Sequence, residues 1–177
     1  MRCCTMQDDI QNTGELKMEM VFVSAFTKRE ELIPLYEEYG ATLLRANPGF
    51  GASLAQQNYD EEIAHLEEKY GPPGGCMYLV YVDDALAGCV GMKPLGEKCA
   101  ELKRLYVRPA FRGHHLGEVM LRRILEDARV AGYKKLRLDT LPTLRTALAL
   151  YQRLGFQETE AYYDCLIPGT IFMEKEL

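Results

Sequence analysis

Apolar residues recur along this chain in two rhythms, and the switch between them divides it. After an apolar strand from Met20 to Ala25, the spacing is helical. Leu32, Leu35, Tyr36, Tyr39 and Leu43 share one face, and Ile63, Leu66 and Tyr70 share another. Thr27 and Glu30 stand in capping-box relation before the first helix, and Asn47-Pro48-Gly49 stops it. The second helix starts near Asp60 and ends at Tyr70, before Gly71-Pro72-Pro73-Gly74-Gly75.

From Cys76 the pattern becomes that of strands. Cys76 to Val82 and Leu86 to Pro94 flank the turn signal Asp83-Asp84 and predict a hairpin, which Cys99 to Val107 extends into an antiparallel meander. Leu116, Met120, Ile124 and Ala128 then recur every fourth position beside Leu121 and Leu125, predicting an amphipathic helix to about Ala131 that Gly132 closes. Lys135 to Thr140 is the next strand, and the helix before it makes it parallel to Cys99 to Val107. A shorter helix from Thr143 to Leu154 carries Leu144, Ala147, Leu148 and Tyr151 on one face and stops at Gly155. Phe156 to Tyr163 and Thr170 to Glu176 complete the strands. The expected fold class is α/β with a mixed, mostly antiparallel sheet of six to seven strands, a central parallel β-α-β unit and about four flanking helices. Residues 1–17 are polar and aperiodic and read as a mobile leader, leaving 18–177 as one domain.

Composition narrows the chemistry. Among 177 residues, 47% are hydrophobic and 27% charged, as in ordinary globular proteins. A formal net charge of -5 argues against a general nucleic-acid binder and favours a cationic substrate. Six cysteines without CxxC spacing and three histidines argue against a metal site. No apolar stretch reaches the ~18 residues of a membrane span, and none resembles a signal peptide, so a cytoplasmic, reducing setting with free thiols is expected.

One run has a specific chemical implication. Val107 to Gly117 joins an apolar strand to the long amphipathic helix through a tight basic turn. The first peptide N–H groups of a helix have no intrahelical partner and carry the positive end of its dipole, so such a turn suits a phosphate. Arg112 supplies a charge, and Gly113 and Gly117 let backbone approach a ligand.

Three blocks in this order resemble the GNAT family of acetyl-CoA-dependent N-acetyltransferases. They are Glu101-Leu102-Lys103-Arg104-Leu105-Tyr106-Val107, then Arg112 to Gly117, then Ala147 to Phe156 with its Leu154-Gly155-Phe156 ending. The first 75 residues match in element order alone. The resemblance implies that Arg112, Gly113, His114, His115, Leu116 and Gly117 surround the pyrophosphate of acetyl-CoA. It implies that the strand carrying Leu105, Tyr106 and Val107 splays from Leu136 to Thr140, so that freed backbone groups hold the pantetheine arm and polarise the acetyl carbonyl. Tyr151 matches the family's general acid toward the departing thiolate, and a core tyrosine tied to a carbonyl is the competing reading. Glu101 stands where some members carry a glutamate base. Direct proton abstraction, ordering of a water, and pairing with Lys103 or Arg137 are all open for it.

His115 departs from the pattern, since it occupies the place of the loop's usual first glycine, and it either adopts the same dihedrals or shifts the loop. Tyr162, Tyr163 and Asp164 precede the last strand, where members line the acceptor pocket, and packing is the other reading. The acidic pairs Glu37-Glu38, Glu61-Glu62 and Glu67-Glu68 read as solvated helix faces, and His65 and His114 as exposed. The implied partner is a small-molecule or peptide amine, with no metal, nucleic acid or membrane and with a homodimer plausible. A CoA-binding regulatory module without turnover is the alternative.

Overall fold

The computed structural model describes residues 18–46, 59–165 and 167–177; the expected leader and the Asn47-Pro48-Gly49 stop lie outside them. Seven strands form one sheet: β1 (Met20–Ser24), β2 (Cys76–Val82), β3 (Ala85–Gly96), β4 (Cys99–Val107), β5 (Lys135–Thr140), β6 (Gln157–Thr159) and β7 (Ile171–Glu176). Their order is β1-β2-β3-β4-β5-β7-β6, and β4 with β5 is the parallel pair in an otherwise antiparallel sheet. The helices are α1 (Leu32–Ala46), α2 (Tyr59–Ala64), α3 (Leu66–Tyr70), α4 (Leu116–Val130) and α5 (Arg145–Arg153). The expected mixed sheet with its central β-α-β unit is therefore present, with α4 as the crossover.

The sheet carries a core on each face. On one, Ala100, Leu102, Leu136 and Leu138 pack with Leu116, Met120, Ile124 and Tyr151 from α4 and α5. On the other, Leu79, Cys89 and Tyr106 pack with Leu32, Leu35, Tyr36, Leu66 and Tyr70 from α1 to α3. Alternation along β4 sends Glu101 and Lys103 to the second face, between residues that face the first.

Three elements differ from expectation. The first helix begins at Leu32, after two short 3-10 turns, and the Thr27 hydroxyl donates to the Ser24 carbonyl instead of capping. Pro34 explains the start, because a proline is tolerated in a helix's first turn and not in its interior. The Asp60 to Tyr70 helix is broken at His65, which leaves helical dihedrals and pairs with Glu68 at 2.9 Å. The Phe156 to Tyr163 strand shrinks to Gln157–Thr159, since Tyr162 and Tyr163 fold back edge-on against Phe172. The glycine stops hold: Gly132 and Gly155 both take φ 86, and the next residue's N–H reaches back to Ala128 and Tyr151 carbonyls respectively.

Candidate active site

β4 and β5 pair through Cys99, Ala100 and Glu101 and then separate. The cause lies in β4. Arg104 and Leu105 together oppose Val90 of β3, a β-bulge, and Arg104 takes the left-handed φ of 59°. A bulge bends and twists its strand, which draws the second half of β4 away from β5.

A side-chain clamp holds the bulge. The Arg104 guanidinium donates to both oxygens of Glu62 on α2, at 2.9 and 2.8 Å, and lies over the rings of Tyr36 and Tyr59. Tyr70 donates to Glu62 at 3.0 Å, and Lys69 pairs with it as well. Glu62 is thus buried at 6% exposure, which corrects its reading as part of a solvated face. Its burial would raise the carboxyl pKa, but Arg104 and Lys69 override this and hold it at about 2. Glu38 is also engaged, accepting from Arg108 at 2.8 Å. His65 and His114 are exposed as expected.

The gap between β4 and β5 opens a cavity of about 490 Å³. Leu105, Leu138 and Tyr151 line it together with the charged side chains Glu101, Lys103 and Asp139. Tyr151 is 6% exposed, and its hydroxyl has no hydrogen-bond partner among the described residues, so the reading of a tyrosine tied to a carbonyl does not hold. Burial pushes its pKa well above the ordinary phenol value, with Tyr39 and Asp139 adding to the effect. Glu101, 2% exposed, accepts from Lys93 at 3.0 Å, Lys103 at 3.1 Å and the Tyr162 hydroxyl at 3.0 Å. Arg137, one of the expected partners, pairs with Glu174 instead. Lys103 also reaches Asp139 at 2.8 Å and so spans the gap. Burial alone would lower its pKa, but Asp139 and Glu101 outweigh that and raise it.

The basic turn stands at the end of the splayed strand. The backbone N–H groups of residues 113–117 donate to no acceptor among the described residues. Gly113 takes φ 88 and His115 φ 59, ψ 13, so the histidine adopts the left-handed geometry that a glycine there would take. Both histidine rings and Arg112 are exposed, and Arg112 Nε donates to the Val107 carbonyl at 3.0 Å. Leu116 is buried in the α4 core. Tyr106 points the other way: it packs in the α1 to α3 core and donates to Glu38 at 3.2 Å, leaving its backbone alone near the gap.

Sequence reasoning missed Lys93, Arg104, Asp139 and the Glu62 clamp. Charged residues at alternate positions of central strands, Glu101 and Lys103 in one and Arg137 and Asp139 in the other, are the signal that marks them, because interior strands normally read as continuous apolar runs.

The family profile described as "Acetyltransferase (GNAT) family" matches residues 29–156. An uncharacterized N-acetyltransferase of Schizosaccharomyces pombe is 43% identical over 130 residues, 72% of this chain and 80% of the relative. Among solved structures, a GNAT-family acetyltransferase from Staphylococcus aureus Mu50 superposes with a TM-score of 0.70 at 17% identity, covering 89% of this chain and 98% of that one. The PaiA N-acetyltransferase of Thermoplasma acidophilum, solved in complex with coenzyme A, gives 0.67 at 17% identity over 92% and 100%. These structures share the fold. The family profile and the close relative, meeting the splayed β4–β5 pair and the open N–H turn, establish that the chain belongs to the GNAT family of acetyltransferases, enzymes whose general reaction is acetyl-CoA-dependent acetylation.

Proposed function

We propose that this protein transfers the acetyl group of acetyl-CoA to a primary amine by direct attack in a ternary complex. The observation that carries it is the alignment of the open N–H turn with the gap between β4 and β5. The N–H groups of residues 113–117, with Arg112, hold the pyrophosphate, and the backbone of residues 105–107, unpaired on the β5 side, holds the pantetheine arm. The amine nitrogen attacks the thioester carbonyl, charge collects on the carbonyl oxygen beside main-chain N–H, and the C–S bond breaks to leave amide and thiolate.

Tyr151 donates a hydrogen bond to that sulfur. With its pKa raised by burial, complete proton transfer to a thiolate is uphill, so the phenol stabilises the leaving group chiefly as a donor. Glu101 takes the proton that the amine sheds. A second reading gives this step to Asp139, because among the described residues Lys103 alone engages its carboxylate whereas three donors engage Glu101.

Release of free thiol from acetyl-CoA across a panel of amines tests the proposal. Thiol release that rises with amine concentration supports it, and CoA binding without acceptor-dependent release leaves the regulatory module as the better reading.

A further inference from the structure

The charges at the cavity come in both signs, and they do not suit a purely cationic amine. Lys69, Lys93, Lys103 and Arg104 line it, with Glu101, Asp139 and Asp164 opposite in sign. These cations are not placed to serve the CoA phosphates. Glu101 and Lys103 alternate with Ala100 and Leu102, which pack toward α4, so the charged cluster lies on the α1 to α3 face, while the pyrophosphate turn starts α4 on the other.

We infer that the acceptor is a small amine that also carries a carboxylate, an amino acid or close analogue, and that Lys93 and Lys103 dock the carboxylate. The inference rests on the acetyl-transfer reading above. Arg104 is committed to Glu62 at the bulge, and Lys69 pairs with the same carboxylate. Lys93 is 26% exposed in its side chain and its ammonium meets the Glu101 carboxylate at 3.0 Å, leaving donors for a second anion. Lys103 touches both Glu101 and Asp139. A carboxylate bound at Lys93 and Lys103 therefore brings an amine one carbon away toward the two acidic groups proposed to receive its proton. A polyamine has nothing to offer the lysines and adds charge of their own sign to a partly buried site. The net charge of -5 is a sum over the whole chain and does not carry over to this cavity.

The test is calorimetric titration of the protein–CoA complex with L-amino acids, the amines left by their decarboxylation, and spermidine, with acetylation of the same panel measured in parallel. The best amino acid is expected to bind at least about tenfold tighter than its own decarboxylated amine, the scale of one charge-assisted hydrogen bond. Lys93→Met and Lys103→Met should each lower that ratio, and Lys93→Arg should restore it. The inference is overturned if no amino acid binds, if the decarboxylated amines or spermidine bind equally well, or if the ratio survives both methionine variants. Failure of every amine to be acetylated overturns the transferase reading instead, and the binding ratio still decides this one.

Discussion

Glu62→Gln probes the element that shapes the site from a distance. Glu62 belongs to α2 and touches none of the proposed reacting groups, yet it anchors Arg104, whose left-handed backbone makes the bulge that opens the gap. Its carboxyl is held at about 2 against an ordinary 4.5, so the charged pair favours the folded state above pH 4.5, and the benefit is lost as pH falls through 2. At about 1.4 kcal/mol per pH unit this is on the order of 3 kcal/mol at neutrality. Leaving the Arg104 guanidinium without its counter-charge gives a similar figure, about 3–5 kcal/mol. Urea denaturation at pH 7 should show that loss with an unchanged m-value, and a thermal melt should drop by roughly 6–12 °C. The difference between variant and wild type should shrink between pH 4.5 and pH 2, where the wild-type carboxyl itself takes up a proton. A variant as stable as wild type at pH 7, or a gap that stays constant down to pH 2, would refute the reasoning.

Other consequences concern the chemistry. Tyr151→Phe should lower kcat by about 10²-fold or more while leaving acetyl-CoA binding nearly intact, and steady-state kinetics that show full kcat would remove the tyrosine from the sulfur. His115→Gly relieves a left-handed L-residue, so it should gain about 0.5–1 kcal/mol in urea denaturation and bind CoA as tightly or more tightly; weaker binding would assign the imidazole a phosphate contact. Glu101→Gln should lower kcat by about 10²-fold with acetyl-CoA binding retained, and full kcat would move the base to Asp139, testable in turn with Asp139→Asn.

Much of this fold was legible in the chain because its signals are local. The four-residue recurrence from Leu116 to Ala128 and the glycines at 132 and 155 mark their helices without reference to anything distant. The basic turn after Val107 was readable for the same reason, since open N–H groups follow from any strand-to-helix start. The bulge was not readable, because it depends on two β4 residues facing one residue of β3 and on a glutamate 42 positions away. Glu62 reads in the sequence as a neighbour of Glu61 on a wet face; the rotation of about 100° between successive helix residues turns it under Arg104. The acceptor end was obscured similarly, since Lys93, Lys103 and Asp139 come from three strands and meet only where β4 leaves β5.

Initial rates with acetyl-CoA and amine varied together test the central claim most directly. Direct attack within the gap between β4 and β5 predicts double-reciprocal lines that intersect, with one acetylated amine formed for each thiol released. Parallel lines, the mark of an acetylated enzyme intermediate, or thiol release with no acetylated amine would contradict it.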